Sequence, residues 1–285
     1  MEIKTDSPKE VRPEVADKKV LGLSKDSWIY TFLGLGFVLT TLDFFMAFLV
    51  APLVLGAQVS GVRVIGGAVV QNQLLFSQKI FYFHVPVALG SFLVFFFTAY
   101  YGVRFLMTKD KTYDTKAKIA TEVTLLFVVL TLITGDLWTR FEWGQWWVWE
   151  PRLTTYFIMT LLVIAYFVLR NSIEDEERRA TYAAVFGIVA FLDAPISFAI
   201  TRMIPSSVHP VVLRSGGGLL PTQLIPFLSG LFGMLMIAWV IYQVRLKEEV
   251  LRERVEAVKA ALEDDLTTDA PTFTSFAKPE TPGQS

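Results

Sequence analysis

Cysteine is absent from all 285 residues. That absence excludes disulfide bridges, zinc–thiolate centres, iron–sulfur clusters and haem attached covalently through a Cys-x-x-Cys-His motif. Histidine is scarce, with two in the chain. Charge is thin as well: 19% of residues are charged, where an ordinary soluble domain carries about 25%. Neither sign prevails, since 26 basic residues stand against 27 acidic ones, and this balance leaves no basic footprint for nucleic acid. The first 27 residues are polar and contain no short apolar core with a small-residue cleavage site. The first apolar segment is therefore expected to stay in the mature protein. No nucleotide-binding motif occurs, and no internal repeat of the length that marks an inverted-repeat transporter. What the chain has in excess is apolar surface, 53% of its residues, and this describes an integral membrane protein.

A bilayer core about 30 Å thick takes roughly 20 apolar residues as a helix. Six runs reach or approach that length, at about 28–55, 80–107, 119–138, 153–170, 181–201 and 222–244. They are solid blocks rather than alternating segments, which argues against a barrel. The expected fold is all-α with six transmembrane helices, Pro52 ending the first and Pro195 bending the fifth. Lysine and arginine set the orientation. Eighteen of them fall in the N-terminal tail, the second and fourth loops and the stretch 245–262, against six in the other three loops. Both termini are thus expected in the cytoplasm, with the loop between helices 3 and 4 on the outer face.

The chain divides into a polar cytoplasmic tail (1–27), the membrane domain (28–245), a cytoplasmic amphipathic helix (246–262) and a tail (263–285). Leu251, Val255, Val258 and Leu262 give the third stretch its apolar stripe. The last stretch is acidic and rich in Thr and Pro, and is expected to be disordered. Asp43 and Asp193 lie within spans, with Glu122 and Asp136 towards the ends of the third. Such carboxylates are costly in a bilayer and are functional candidates by default, although a polar contact between helices is the favoured reading for Asp193 beside the kink at Pro195.

Five of the seven tryptophans fall within twelve residues: Trp138, Trp143, Trp146, Trp147 and Trp149. An interfacial belt would spread indoles over many helix ends, whereas these gather in a single outward loop. Broad aromatic faces suit a large planar ligand. Glu142, Glu150, Arg140 and Arg152 stand in the same loop, and a ligand with carboxylate arms would want an arginine fork at its edge. A rim ion pair such as Glu150–Arg152 accounts for the charges equally well. His84, a few residues into the second span, and His209, between the fifth and sixth, both face the side of the tryptophan loop. Imidazole is an axial ligand of haem iron, and a pair can hold both faces of the ring. Zinc is the rival, but it wants three or four protein ligands, and this face has neither cysteine nor a third histidine.

Residues 143–154, WGQWWVWEPRLT, resemble the tryptophan-rich "WWD" signature of the haem-handling membrane proteins of cytochrome c biogenesis. The ending Arg152-Leu153-Thr154 resembles the CcmC (heme exporter protein C) branch, and residues 79–88, KIFYFHVPVA, resemble that branch's segment with the first ligand histidine. The likeness spans roughly residues 28–245. It implies a six-helix protein of the inner membrane that is a haem carrier rather than an enzyme. Its cargo would be haem b, held in transit and loaded onto a CcmE-type haem chaperone, in company with a CcmAB-type ABC transporter and a small CcmD-type membrane protein. Carried over, His84 and His209 would be the axial ligands. Trp143, Trp146, Trp147 and Trp149 would form the ring-contacting platform. Lys79 and Arg152 would meet the propionates, and Glu150 would orient Arg152 or the partner.

Three positions depart from the family pattern. Glu150 replaces the usual aspartate, Lys79 replaces an arginine and so loses the bidentate fork, and the approach to His209 lacks the usual tryptophans. Two other classes stay open on the residues alone. One is a membrane cytochrome b-like electron-transfer subunit, which would hold its histidines inside the bundle. The other is a transporter subunit that binds no haem.

Overall fold

A computed structural model describes residues 27–52, 64–65, 68–69, 78–204 and 219–268. Seven α-helices lie in these residues: α1 (Ser27–Leu49), α2 (Phe81–Thr108), α3 (Lys111–Trp143), α4 (Pro151–Asn171), α5 (Glu176–Phe191), α6 (Asp193–Met203) and α7 (Pro221–Thr268). A 3-10 turn, Gln78–Ile80, leads into α2. A short antiparallel hairpin pairs β1 (Val64–Ile65) with β2 (Ala68–Val69). Among the described residues six segments are long and apolar enough to cross a membrane, with α5 and α6 together forming the fifth. The sixth is the membrane part of α7.

Local chemistry explains where the helices begin and end. Between α2 and α3 the chain reverses over two residues: Lys109 takes a left-handed conformation (φ 58°), and the Asp110 carboxylate accepts the Thr112 N–H at 2.9 Å. That backbone hydrogen bond holds the Asp110 carboxyl below its ordinary pKa. Asp175 caps α5 in the same way through the Arg178 N–H.

The apolar runs in the sequence locate the spans, but the helices outrun several of them. α3 begins at Lys111, well before the apolar run, because its polar first turns are paired to neighbouring helices. Arg170 makes a two-pronged contact with Asp114, at 2.6 and 2.9 Å, and Arg245 reaches Glu122 at 2.6 Å. Glu122 is thus one half of an ion pair linking α3 to α7. The fifth span is broken at Leu192, three residues before Pro195. Pro195 lacks the N–H that Phe191 would have received, so it sits in the first turn of a new helix. α7 continues without a break through the expected amphipathic stretch and six residues into the stretch 263–285 expected to be disordered. Extending an existing helix adds a hydrogen bond for every residue ordered and needs no new nucleus.

Helix α2 is central, packing against α3, α5 and α7, while α1 lies chiefly along α7. Small residues set the closest crossings. A Cβ built on Gly233 would meet the Thr40 hydroxyl at 2.5 Å and the Gly36 carbonyl at 3.0 Å, so α1 and α7 approach backbone to backbone. One apolar cluster joins Val87 and Val94 of α2 to Ile119, Val123 and Phe127 of α3 and Tyr242 of α7. A second joins Phe95 and Val128 to Tyr156, Met159 and Val163 of α4 and Ala190 of α5. The starts of α2, α4 and α7 and the ends of α1, α3 and α6 meet at one end of this bundle. The candidate chemistry is concentrated there.

Candidate functional site at the tryptophan end

His84 occupies the first turn of α2 and is buried, 8% exposed, against the last turns of α3. Its Nδ1 lies 2.9 Å from the Thr134 hydroxyl. Trp138, one turn further along α3, meets the imidazole edge-on, with centroids 5.6 Å apart and planes at 84°. Gly135 lies between them, and a Cβ there would stand 3.3 Å from His84 Cε1. The ring is therefore seated on one face of α3 by three residues within five positions. Thr134 and Trp138 are four apart and so share that face. Sequence spacing could have exposed the relation, but nothing in a single chain says which face α2 meets.

Lys79 sits in the turn just before α2 and is also buried. Its ammonium donates to the Ala47 and Ala51 carbonyls at 2.6 and 2.7 Å. Ala47 is in the last turn of α1 and Ala51 lies two residues past its end, where helix carbonyls lack partners and the dipole favours a cation. A positive charge at this position thus ties α1 to α2.

The loop between α3 and α4 covers residues 144–150. Gly144, at φ 74°, ends α3 in the left-handed conformation that a Cβ would strain. Arg140 folds back so that its guanidinium donates to the Gly144 carbonyl and lies 5.7 Å over the Trp146 ring. Trp146 and Trp149 are 60% and 70% exposed, an unusual amount of bare indole. Trp147 and Trp143 are half-buried. Trp147 packs edge-on against Trp149 at 5.4 Å and against Phe157 of α4 at 5.6 Å. Its Nε1–H is buried and meets no acceptor among the described residues, and such a donor carries a desolvation cost until something accepts from it.

Glu150 is buried and acts as the N-cap of α4, its carboxylate accepting the Leu153 N–H at 2.7 Å. Pro151 follows at the first helical position, where a missing N–H costs nothing. Arg152 turns towards α6, with Nη1 3.5 Å from the Thr201 hydroxyl. Beside it Thr155 bonds Ser197 at 3.0 Å, and these contacts hold α4 to α6.

The structure thus gathers Trp147, Trp149 and the unanticipated Phe157 into one aromatic group, pairs Arg140 with Trp146, and joins His84 to Thr134 and Trp138. Thr134 to Trp143 is nine residues of one helix, about 14 Å of rise, so α3 links the imidazole to the loop. His209 and its neighbours lie outside the described residues. No group of three or more His, Cys, Asp or Glu side chains able to hold a metal ion occurs among the described residues. Among the described residues this end of the bundle carries one oriented imidazole, exposed indoles and an indole N–H without an acceptor.

These features define a class, a six-span helical membrane protein with a histidine and a tryptophan-rich surface at one end of its bundle. The chain belongs to the heme exporter protein C (CcmC) family, whose model matches residues 18–261. It is 30% identical over 183 residues to heme exporter protein C of Bradyrhizobium diazoefficiens, covering 64% of this chain and 70% of that one. A putative cytochrome c biosynthesis ccmC-like mitochondrial protein of Arabidopsis thaliana is 28% identical, with 64% and 72% covered. Heme exporter protein C of Paracoccus denitrificans is 25% identical, with 64% and 77% covered. The family places this chain among the membrane components of cytochrome c biogenesis that handle haem.

Proposed function

We propose that this protein holds haem b as cargo at the outer face of the inner membrane and passes it to a CcmE-type haem chaperone, without itself catalysing a chemical reaction. Both termini lie in the cytoplasm, and the tryptophan loop faces outward. The observation that carries the reading is the seating of His84 on α3, the same helix that runs directly into the exposed indoles. A buried, oriented imidazole suits an iron ligand. Bare indole faces suit a planar ring that must be gripped and then surrendered.

In this reading His84 is one axial ligand and His209 the other. Trp143, Trp146, Trp147 and Trp149 flank the ring, and the Trp147 Nε1–H, which meets no acceptor among the described residues, is a donor available to a ligand or partner. Arg152 and Lys79 supply positive charge towards the propionates. Both also have structural partners: Lys79 must keep its carbonyls while offering a third proton, and Arg152 must turn from Thr201 or act from the α4–α6 seam. Glu150 contributes by setting the start of α4, and so the position of Arg152 two residues on. Release is favoured by exposure: Trp146 and Trp149 are open to a docking chaperone while the imidazole is buried against α3. A CcmAB-type ABC transporter and a CcmD-type small protein complete the assembly, and any ATP use belongs to those subunits.

The test is co-purification of the full chain with the soluble domain of a CcmE-type chaperone. The wild type is expected to yield haem on both proteins, with a six-coordinate spectrum on this one, and His84→Ala is expected to lose it. Full haem occupancy with an unchanged spectrum in His84→Ala/His209→Ala would sink the ligand assignment.

A further inference from the structure

The hydrogen-bond partners of Thr134 determine which nitrogen of His84 carries the proton. The Thr134 hydroxyl lies 2.8 Å from the Leu130 carbonyl and 3.2 Å from that of Thr131, the back-bonding geometry of a helical threonine. Its remaining contact is His84 Nδ1 at 2.9 Å. A hydroxyl has one proton and two lone pairs. With that proton committed to the helix carbonyl, the oxygen facing the ring can only accept, so Nδ1 must carry hydrogen. A neutral imidazole has one N–H, so Nε2 keeps the lone pair.

We infer that Thr134 is a positioning residue that locks His84 as the Nδ1–H tautomer and so makes Nε2 its iron-ligating atom. Rotating the ring about Cβ–Cγ would put Cδ2–H against the hydroxyl and forfeit the bond. The edge of Trp138 and the narrow gap over Gly135 confine the ring plane from the same helix. The donated hydrogen bond also makes the imidazole a stronger donor to a metal, as partners of ligating histidines generally do. The role of Nε2 rests on the haem-holding reading above, but the tautomer does not, and the two are tested separately.

The chain has only two histidines, so the full-length His209→Gln variant labelled with 15N-histidine reports His84 alone. Spectra are recorded without haem, in nanodiscs, at a pH alkaline enough to keep the ring neutral. The expected result is a protonated Nδ1 and a bare Nε2. Thr134→Ser should retain this pattern, because the hydroxyl survives. Thr134→Val, nearly the same shape without the acceptor, should shift the population towards Nε2–H. A bare Nδ1 in the parent, or an unaltered Nδ1–H pattern in Thr134→Val, would overturn the inference.

A second measurement uses haem titration of the chain with both histidines present. Thr134→Val is expected to weaken affinity by about tenfold or more, the usual cost of losing a ligand's outer partner, and Thr134→Ser to restore it. Equal affinities for all three would refute a positioning role. Retention of haem by His84→Ala would instead defeat the haem reading and leave the tautomer result standing.

Discussion

Glu150 offers the sharpest separation of a structural role from an electrostatic one. Of the first N–H groups of α4, Pro151 has none, the Leu153 N–H goes to the Glu150 carboxylate at 2.7 Å, and the Thr154 N–H goes to the Glu150 backbone carbonyl at 2.9 Å. Substituting alanine keeps the carbonyl and removes the carboxylate. Losing an N-cap costs about 1 kcal/mol, and the Leu153 N–H is left buried without that acceptor, so the sum should approach about 2 kcal/mol. Glu150→Asp substitutes one of the best capping residues and should stay within about 0.5 kcal/mol of wild type. Glu150→Gln keeps an acceptor but gives up the anion at the positive end of the helix, a loss of about 0.3–1 kcal/mol. Unfolding in a mild detergent, followed by helical circular dichroism, should rank the variants as wild type and Asp, then Gln, then Ala. Haem delivered to the chaperone per haem bound should follow the same order if Glu150 acts by setting α4 and Arg152. An alanine variant as stable as wild type would refute the capping argument. A glutamine variant that is stable yet fails to transfer haem would show that the charge itself acts on cargo or partner.

Arg170→Ala strands the Asp114 carboxylate in a partly buried site and should cost about 3 kcal/mol, while Arg170→Lys, keeping charge without the fork, should cost less; thermal unfolding of both variants checks this, and equal stability of all three proteins would refute it. Trp146→Ala and Trp147→Ala remove ring faces worth about 1–3 kcal/mol each in stacking, so haem binding should weaken by one or two decades, and chaperone docking should suffer more. If haem delivered per haem bound is unchanged in both variants, the loop is only a pocket wall. Reporters fused after Gly66, Trp147 and Gly217 should read outside and those after Lys111, Asp175 and Leu262 inside; an inside signal at Trp147 would place the indoles in the wrong compartment for chaperone delivery.

Much of the architecture was legible because membrane spans are a local property. A span is a length of apolar chain matched to bilayer thickness, and each of the six runs can be measured without knowing its neighbours. The tryptophan cluster was legible for the same reason, since its members crowd into twelve consecutive residues. Helix ends were less so. α3 starts among lysines and an aspartate because Asp114 and Glu122 find arginines on α4 and α7, which no window along α3 contains. The small hairpin of Val64–Ile65 and Ala68–Val69 went unforeseen, although a Gly66-Gly67 pair between two short apolar runs is a turn signal.

The amino-acid sequence alone determined the six spans, the motif that marks the family, and the scarcity that makes His84 one of only two candidate imidazole ligands. Only the tertiary structure decided what the site residues touch. Lys79, expected at a propionate, reaches back 28 and 32 residues to carbonyls in the last turn of α1 and just past its end. Glu150 closes the first turn of α4, Arg152 leans on Thr201 of α6, and His84 meets a threonine 50 residues away. The physical reason is that a helix's composition places it in the bilayer, whereas its rotation and register come from packing against helices distant in the chain. Those two coordinates choose the partner of every polar group within the bundle.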